Sequence, residues 1–295
     1  MAYGTPATPD DIEGYYTHIR RGHAPTPEQL AELTSRYQAI GGTSPLAERT
    51  EAQRARLAAA LDTAEPGRWS VALGQKHAAP FIEDAVAGMA ADGVRGIVGL
   101  VLAPHYSRAS VGEYQARLRE AATEHGLAVA AIDRWHLEPT YVAFMAAAVR
   151  EAKAALPERT KVLFTAHSLP ERALVDDPYA DELRDSARAI ADAAGLMPWS
   201  EWALAWQSAG RTPEPWRGPD ILKVIDDLAD SGRADGVLVC PQGFVSDHLE
   251  VVYDLDLEAR RRADGRGLAF ARTQVLNAEP SVLGALAERV RAIAP

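Results

Sequence analysis

The sequence predicts an α/β protein of two similar Rossmann-like halves, each a parallel sheet flanked by helices. Three observations lead there. Short apolar runs of strand length alternate with longer helical patterns along the chain, as parallel strands covered by crossover helices require. Stretches of the first half also reappear in the second. "AYGTP" (2–6) resembles "AHSLP" (166–170), pairing Tyr3 with His167, and "VALGQ" (71–75) resembles "LAWQS" (204–208), pairing Gln75 with Gln207. "LAPHYSRASVGEY" (102–114) resembles "VCPQGFVSDHLEV" (239–251), pairing Pro104 with Pro241 and Ser110 with Asp247. Finally, 295 residues suit two cores better than one. The halves are placed at 1–145 and 146–295.

Taken in order, Thr26-Pro27 signals the first strong helix start, an N-cap followed by proline at the first helical position. "WSVALG" (69–74), "GIVGLVLA" (96–103) and "LAVAAID" (127–133) are the strand candidates of the first half. "KVLFTA" (161–166) opens the second, and Asp177-Pro178 starts a helix after it. "WALAW" (202–206) follows, then Asp220 ahead of "ILKVIDDLADSG", which Gly232 closes. "GVLVC" (236–240) and "LAFAR" (268–272) complete the set. Ligands of open α/β sheets bind beyond the carboxyl ends of the strands. The repeated motifs all lie at such ends, so a ligand between the halves would meet Tyr3 on one side and His167 on the other.

With 47% hydrophobic and 24% charged residues, the chain is an ordinary globular protein. No apolar run approaches the ~20 residues of a membrane span, and "MAYGTPATPDD" lacks the basic and apolar regions of a signal peptide. The expected location is the cytoplasm. One cysteine, Cys240, excludes an intrachain disulfide and any cysteine-only metal or iron–sulfur site. A net charge of −10 argues against a non-specific grip on nucleic acid. "HIRRGH" (18–23) is the local exception, basic within an acidic chain.

The chemistry concentrates in "GFVSDHLEVVYDLDLEAR" (243–260). Glu250, Asp254 and Glu258 recur every four residues and so share one face of a helix, where like charges repel by a few tenths of a kcal/mol, roughly. Neutralising Asp254 and Glu258 is therefore expected to leave the melting temperature undiminished. Asp247-x-x-Glu250 also reads as a capping box, as does Ser110-x-x-Glu113, but capping leaves Asp254 and Glu258 unexplained. For those two, a solvated face competes with a role in binding cations. His167 ends a strand. Serine nucleophile elbows, the G-x-G-x-x-G fingerprint and HExxH are all absent. Histidine with carboxylates suits a borderline or hard divalent ion.

Together "AYGTP", "YYTHIRRG", "RYQAIGGTSPL", "PFIEDAV", "LAPHYS", "AHSLPER", "DPYADEL", "WQSAG…PEPWRGPD" and "GFVSDHLEVVYDLD" closely resemble the ferrochelatases, in order over nearly the whole chain. The likeness is strongest to the coproporphyrin type of Gram-positive bacteria. The resemblance implies a chelatase-type fold of two four-stranded parallel sheets with the active-site cleft between them. It also implies a lyase of haem biosynthesis that inserts Fe(II), as substrate, into coproporphyrin III to give coproheme. It makes His167 and Glu250 the catalytic pair and Tyr3 a ligand to the product iron from the opposite side. Asp254 and Glu258 join His167 and Glu250 as metal-handling groups, and Arg20, Arg36, Tyr37, Ser44 and Tyr114 hold propionates. No tightly bound cofactor or iron–sulfur cluster is expected. A monomer is, with transient contact to a coproheme decarboxylase. Ferrochelatases usually carry about eight further residues before "AYGTP", forming a first strand, so that strand is expected to be truncated here. The alternatives are insertion into protoporphyrin or sirohydrochlorin, and a non-catalytic haem-binding or transfer protein.

Overall fold

A computed structural model describes residues 1–198, 200–210 and 212–295. In the first half, α1 (Ile12–Ile19), α2 (Pro27–Ala39), α3 (Leu46–Ala64) and α4 (Ile82–Ala91) precede β1 (Gly96–Leu100). Then come α5 (Glu113–Glu124), β2 (Ala128–Ile132) and α6 (Pro139–Lys153). The second half runs β3 (Thr160–His167), α7 (Tyr179–Ala194), β4 (Trp202–Gln207), α8 (Ile221–Asp230), β5 (Gly236–Cys240), α9 (Arg260–Gly265), β6 (Ala269–Arg272) and α10 (Pro280–Ile293). Among the described residues no helix is long and apolar enough to cross a membrane.

The expected start signals act as their chemistry dictates. Thr26 accepts a bond from the Gln29 amide at the head of α2, with Pro27 first in the helix. Asp220 accepts from the Leu222 amide at the head of α8. Asp177 works from one residue further out, accepting from the Tyr179 amide at 3.0 Å ahead of α7.

The second sheet has four parallel strands in the order β4-β3-β5-β6, and all five residues of β5 are buried, as a sheet covered on both faces requires. The first sheet departs from the expected four. Only β1 and β2 form a ladder, from Gly96 opposite Ala128 to Leu100 opposite Ile132. Among the described residues the predicted strand 69–74 lies outside any ladder, and just past its end Gln75 bridges to Ala2. A slot of about 260 Å3 is lined by residues 69–74 and Gly96–Leu100 together with Leu57 and Leu61 of α3. Met1 stands at its edge, donating to the Leu100 carbonyl at 2.6 Å and accepting from the Leu102 amide at 3.0 Å.

The halves share their interior. One apolar cluster unites Leu57, Leu100 and Trp135 with Phe164, Leu238 and Val290, and α10 returns from the second half to pack on α3. A division at residue 145 falls within α6, whose inner face is buried in that cluster. Both halves also contain a segment wound with i→i+5 bonds, Arg108–Gly112 and Glu250–Ala259, each in the stretch after the repeat-related prolines Pro104 and Pro241. Such wide turns are rare and gather at functional sites.

Candidate active site

β3 and β4 end side by side, with His167 paired to Gln207. This presents the imidazole at the carboxyl edge of the second sheet. The His167 Nδ1 bonds the Ser168 carbonyl. A carbonyl can only accept, so Nδ1 donates and Nε2 is left to meet another partner. Nε2 lies 3.7 Å from a Glu250 carboxylate oxygen. His248 repeats the arrangement: its Nδ1 donates to the Ser246 carbonyl at 2.9 Å and its Nε2 stands 3.8 Å from the same Glu250 oxygen. Two imidazole Nε2 atoms thus converge on one carboxylate oxygen, an attraction that needs a proton or a cation between nitrogen and oxygen. His248 was not singled out from the sequence, although it stands two residues before Glu250. Gln207 completes this wall by donating to the Glu250 carbonyl at 3.1 Å.

Burial pushes the Glu250 carboxyl upward, but His167, His248 and Arg36 together outweigh it and hold the pKa at about 2. Because the folded value lies below the ordinary one, this contribution to stability is complete above about pH 4.5 and fades as pH falls toward 2. We expect Glu250→Gln to lower stability toward urea at pH 6, and the deficit relative to wild type to shrink at pH 3.5. A deficit constant across that range would show that Glu250 is not held ionised by its neighbours.

The opposite wall belongs to Tyr3. Its phenol is exposed to solvent yet surrounded by protein, so burial, Glu250, Glu113 and Tyr37 all raise its pKa. The Glu250 charge thus acts on Tyr3 from the second half of the chain. His77 packs on Tyr3 with ring centroids 4.6 Å apart. Burial first, then Lys76, His18 and Arg117, lower the His77 pKa to about 3, keeping it neutral.

Neither expected capping box forms. Asp247 makes no cap at the 250–259 segment, whose N-terminal boundary residue is Leu249; its carboxylate accepts from the Asn277 amide group and faces Arg272. In the first half Ser107, not Ser110, accepts from a backbone amide at the start of the widened turn. Glu113 instead pairs with Lys76 at 2.7 Å, which puts an acid beside Tyr3 at the position the repeat relates to Glu250.

The acidic line is graded. Glu250 is partly buried, Asp254 buried and Glu258 exposed. Asp254 is not a bare charge: Arg36 forms an ion pair with it and Ser208 donates to its other oxygen. Burial nonetheless raises its pKa to about 6, with Arg36 opposing and Glu250 assisting. Arg36 also stacks over Tyr253, 4.7 Å from the ring centre. Among the described residues no three His, Cys, Asp or Glu side chains are grouped as a closed metal site. Of the residues matched to propionate contacts, Arg20 is partly exposed, over the Tyr16 ring. Ser44, Tyr37 and Tyr114 are buried, Tyr37 against Thr5. Cys240 is buried in β5, and burial pushes its thiol up to about 12.

The ferrochelatase family model matches residues 1–293. The chain belongs to the ferrochelatase family. Among curated ferrochelatases, it is 44% identical to "Coproporphyrin III ferrochelatase" of Geobacillus kaustophilus, covering 98% of this chain and 93% of that one. It is also 44% identical to the Bacillus subtilis protein of the same name, over 97% and 94%. Solved structures bear out the chelatase fold. "SirB from Bacillus subtilis with Fe3+" aligns with a TM-score of 0.53 at 16% identity, over 81% of this chain and 88% of that one. CbiX, titled "the terminal Enzyme for Biosynthesis of Siroheme in Denitrifying Bacteria", aligns with a TM-score of 0.54 at 15% identity, over 84% and 93%. The chain is therefore a ferrochelatase, an enzyme whose substrate includes Fe(II).

Proposed function

We propose that this ferrochelatase inserts Fe(II) into coproporphyrin III to give coproheme, with His167 and Glu250 as the catalytic pair. The observation that carries the site assignment is the convergence of the His167 and His248 Nε2 atoms on one oxygen of Glu250 at the carboxyl edge of the second sheet. Metallation exchanges two pyrrole N–H protons for one divalent ion. A carboxylate and two imidazoles with free Nε2 atoms can take those protons at the ring face. The same nitrogen and oxygen donors suit a borderline ion and bind it loosely enough to release. Bending the macrocycle would tilt its N–H groups toward them, at the expense of binding energy elsewhere on the substrate. Asp254 and Glu258 extend the acidic line outward, a route for iron inward or protons outward. Tyr3, opposite, would ligate the product iron. A monomer handing coproheme to a decarboxylase in the cytoplasm goes with this reading.

Substrate choice follows from charge. Coproporphyrin III carries four propionates, and protoporphyrin IX carries two, with vinyl groups at the other positions. A chain of net charge −10 repels either anion at long range, so capture falls to local donors such as Arg20 and Arg36, with Tyr37, Ser44 and Tyr114 adding neutral bonds. Vinyl groups would leave such donors unpaired. Anaerobic incubation with Fe(II) and each porphyrin, followed by absorbance, is expected to give the higher kcat/KM for coproporphyrin III. Arg20→Ala should weaken coproporphyrin binding more than turnover at saturation. Equal kcat/KM for the two porphyrins would point to a protoporphyrin enzyme.

A further inference from the structure

The acids Asp247 and Asp256 stand nine residues apart in sequence, yet one guanidinium meets both. Arg272, at the end of β6, binds Asp256 with two parallel bonds, Nε to Oδ1 at 2.7 Å and Nη2 to Oδ2 at 2.9 Å. Its Nη2 also lies 3.2 Å from Asp247 Oδ1. Were residues 247–256 one straight α-helix, nine steps of ~1.5 Å and ~100° would set these carboxylates ~13 Å apart on opposite faces. The bridge therefore demands a chain that folds back as it enters the segment. Glu250 and Asp254 both lie inside the stretch so closed.

The clamp is itself anchored. Asn277 holds Asp247 from two sides, accepting from its backbone amide at 3.0 Å and donating to its carboxylate at 2.8 Å. The Asn277 backbone is left-handed, φ 44, a conformation asparagine tolerates well. Gln53, on α3 of the first half, donates to the carbonyls of Val245 and Asn277 at 3.0 and 2.9 Å. The buried stripe Val251, Leu255 and Ala259 presses the segment on the second core, and Gln207, Arg36 and Ser208 hold Glu250 and Asp254 from the cleft side. The ionic fork adds a two-bond anchor from behind, on Asp256.

We propose that Arg272 is the positioning residue that sets Glu250 opposite His167 and Asp254 in line behind it, through its two-carboxylate clamp. This rests on the reading of Glu250 and Asp254 as the metal-handling acids. Lysine keeps the charge but cannot make the fork, so Arg272→Lys is not a conservative change at this site. Asp256→Asn removes the fork from the other side with little change in volume.

The test measures Fe(II) and coproporphyrin III dependence of insertion for Arg272→Lys, Asp256→Asn and Glu250→Gln, with hydrogen exchange on the same proteins. Both clamp variants are expected to raise the KM for Fe(II) or lower kcat by about 10- to 100-fold, the range for outer-shell partners of a metal site. The KM for porphyrin should hold. Exchange should quicken in residues 248–259 and stay unchanged in α3 and α6. Normal Fe(II) dependence in both clamp variants, with Glu250→Gln inactive, would overturn the positioning role alone. Full activity in Glu250→Gln would overturn the site reading and the positioning role together.

Discussion

Replacing Glu250 by Gln, or His167 by Ala, is expected to slow metal insertion by at least ~100-fold, the lower range for general acid–base groups, while coproporphyrin still binds. Gln keeps the size of Glu250 and the backbone bond from Gln207, so what it removes is charge. With the carboxylate gone, the two Nε2 atoms facing it lose their anionic partner. His167→Ala removes the base nearest that oxygen. Glu288→Gln, which touches only the exposed pair with Arg291 on α10, serves as the control. Glu113→Gln cannot, because Glu113 holds Lys76 beside Tyr3. Near-normal turnover in Glu250→Gln, measured with anaerobic Fe(II), would leave that residue a structural one.

The second large effect is expected at Asp254→Asn combined with Glu258→Gln, which should raise the KM for Fe(II) more than the KM for porphyrin. Spacing alone suggested that this change would relieve repulsion and spare the melting temperature. The structure sets two effects against each other at Asp254. Burial raises its pKa to about 6, so its ionised form weakens the fold near neutral pH and Asn relieves that cost, while Arg36 and Ser208 lose their carboxylate partner. With these opposed, Tm at pH 7 should stay level for Asp254→Asn as for exposed Glu258→Gln. Equal shifts in the two KM values would end the idea of a metal track.

The repeat was the most legible feature of the sequence. Of the pair it relates, His167 ends β3 and Tyr3 follows Ala2, whose bridge to Gln75 is all that forms of the corresponding strand among the described residues. Capping geometry was legible where the donor amide is local, as at Thr26 and Asp220. It misled at Asp247 and Ser110, because short spacings cannot show that Arg272, Asn277 and Lys76 arrive from distant segments. The i→i+5 winding of Glu250–Ala259 leaves no mark on composition, since it changes the turn by less than one residue. "WSVALG" has the pattern of a strand, but a ladder also needs a neighbour within bonding distance.

The return of α10 to the first half has a consequence for cooperativity. Because that helix packs on α3 and Leu57, Leu100 and Trp135 share one apolar cluster with Phe164, Leu238 and Val290, neither half can open without exposing the interior of the other. The two repeat-related halves are thus one thermodynamic unit, and the chain gains or loses both together.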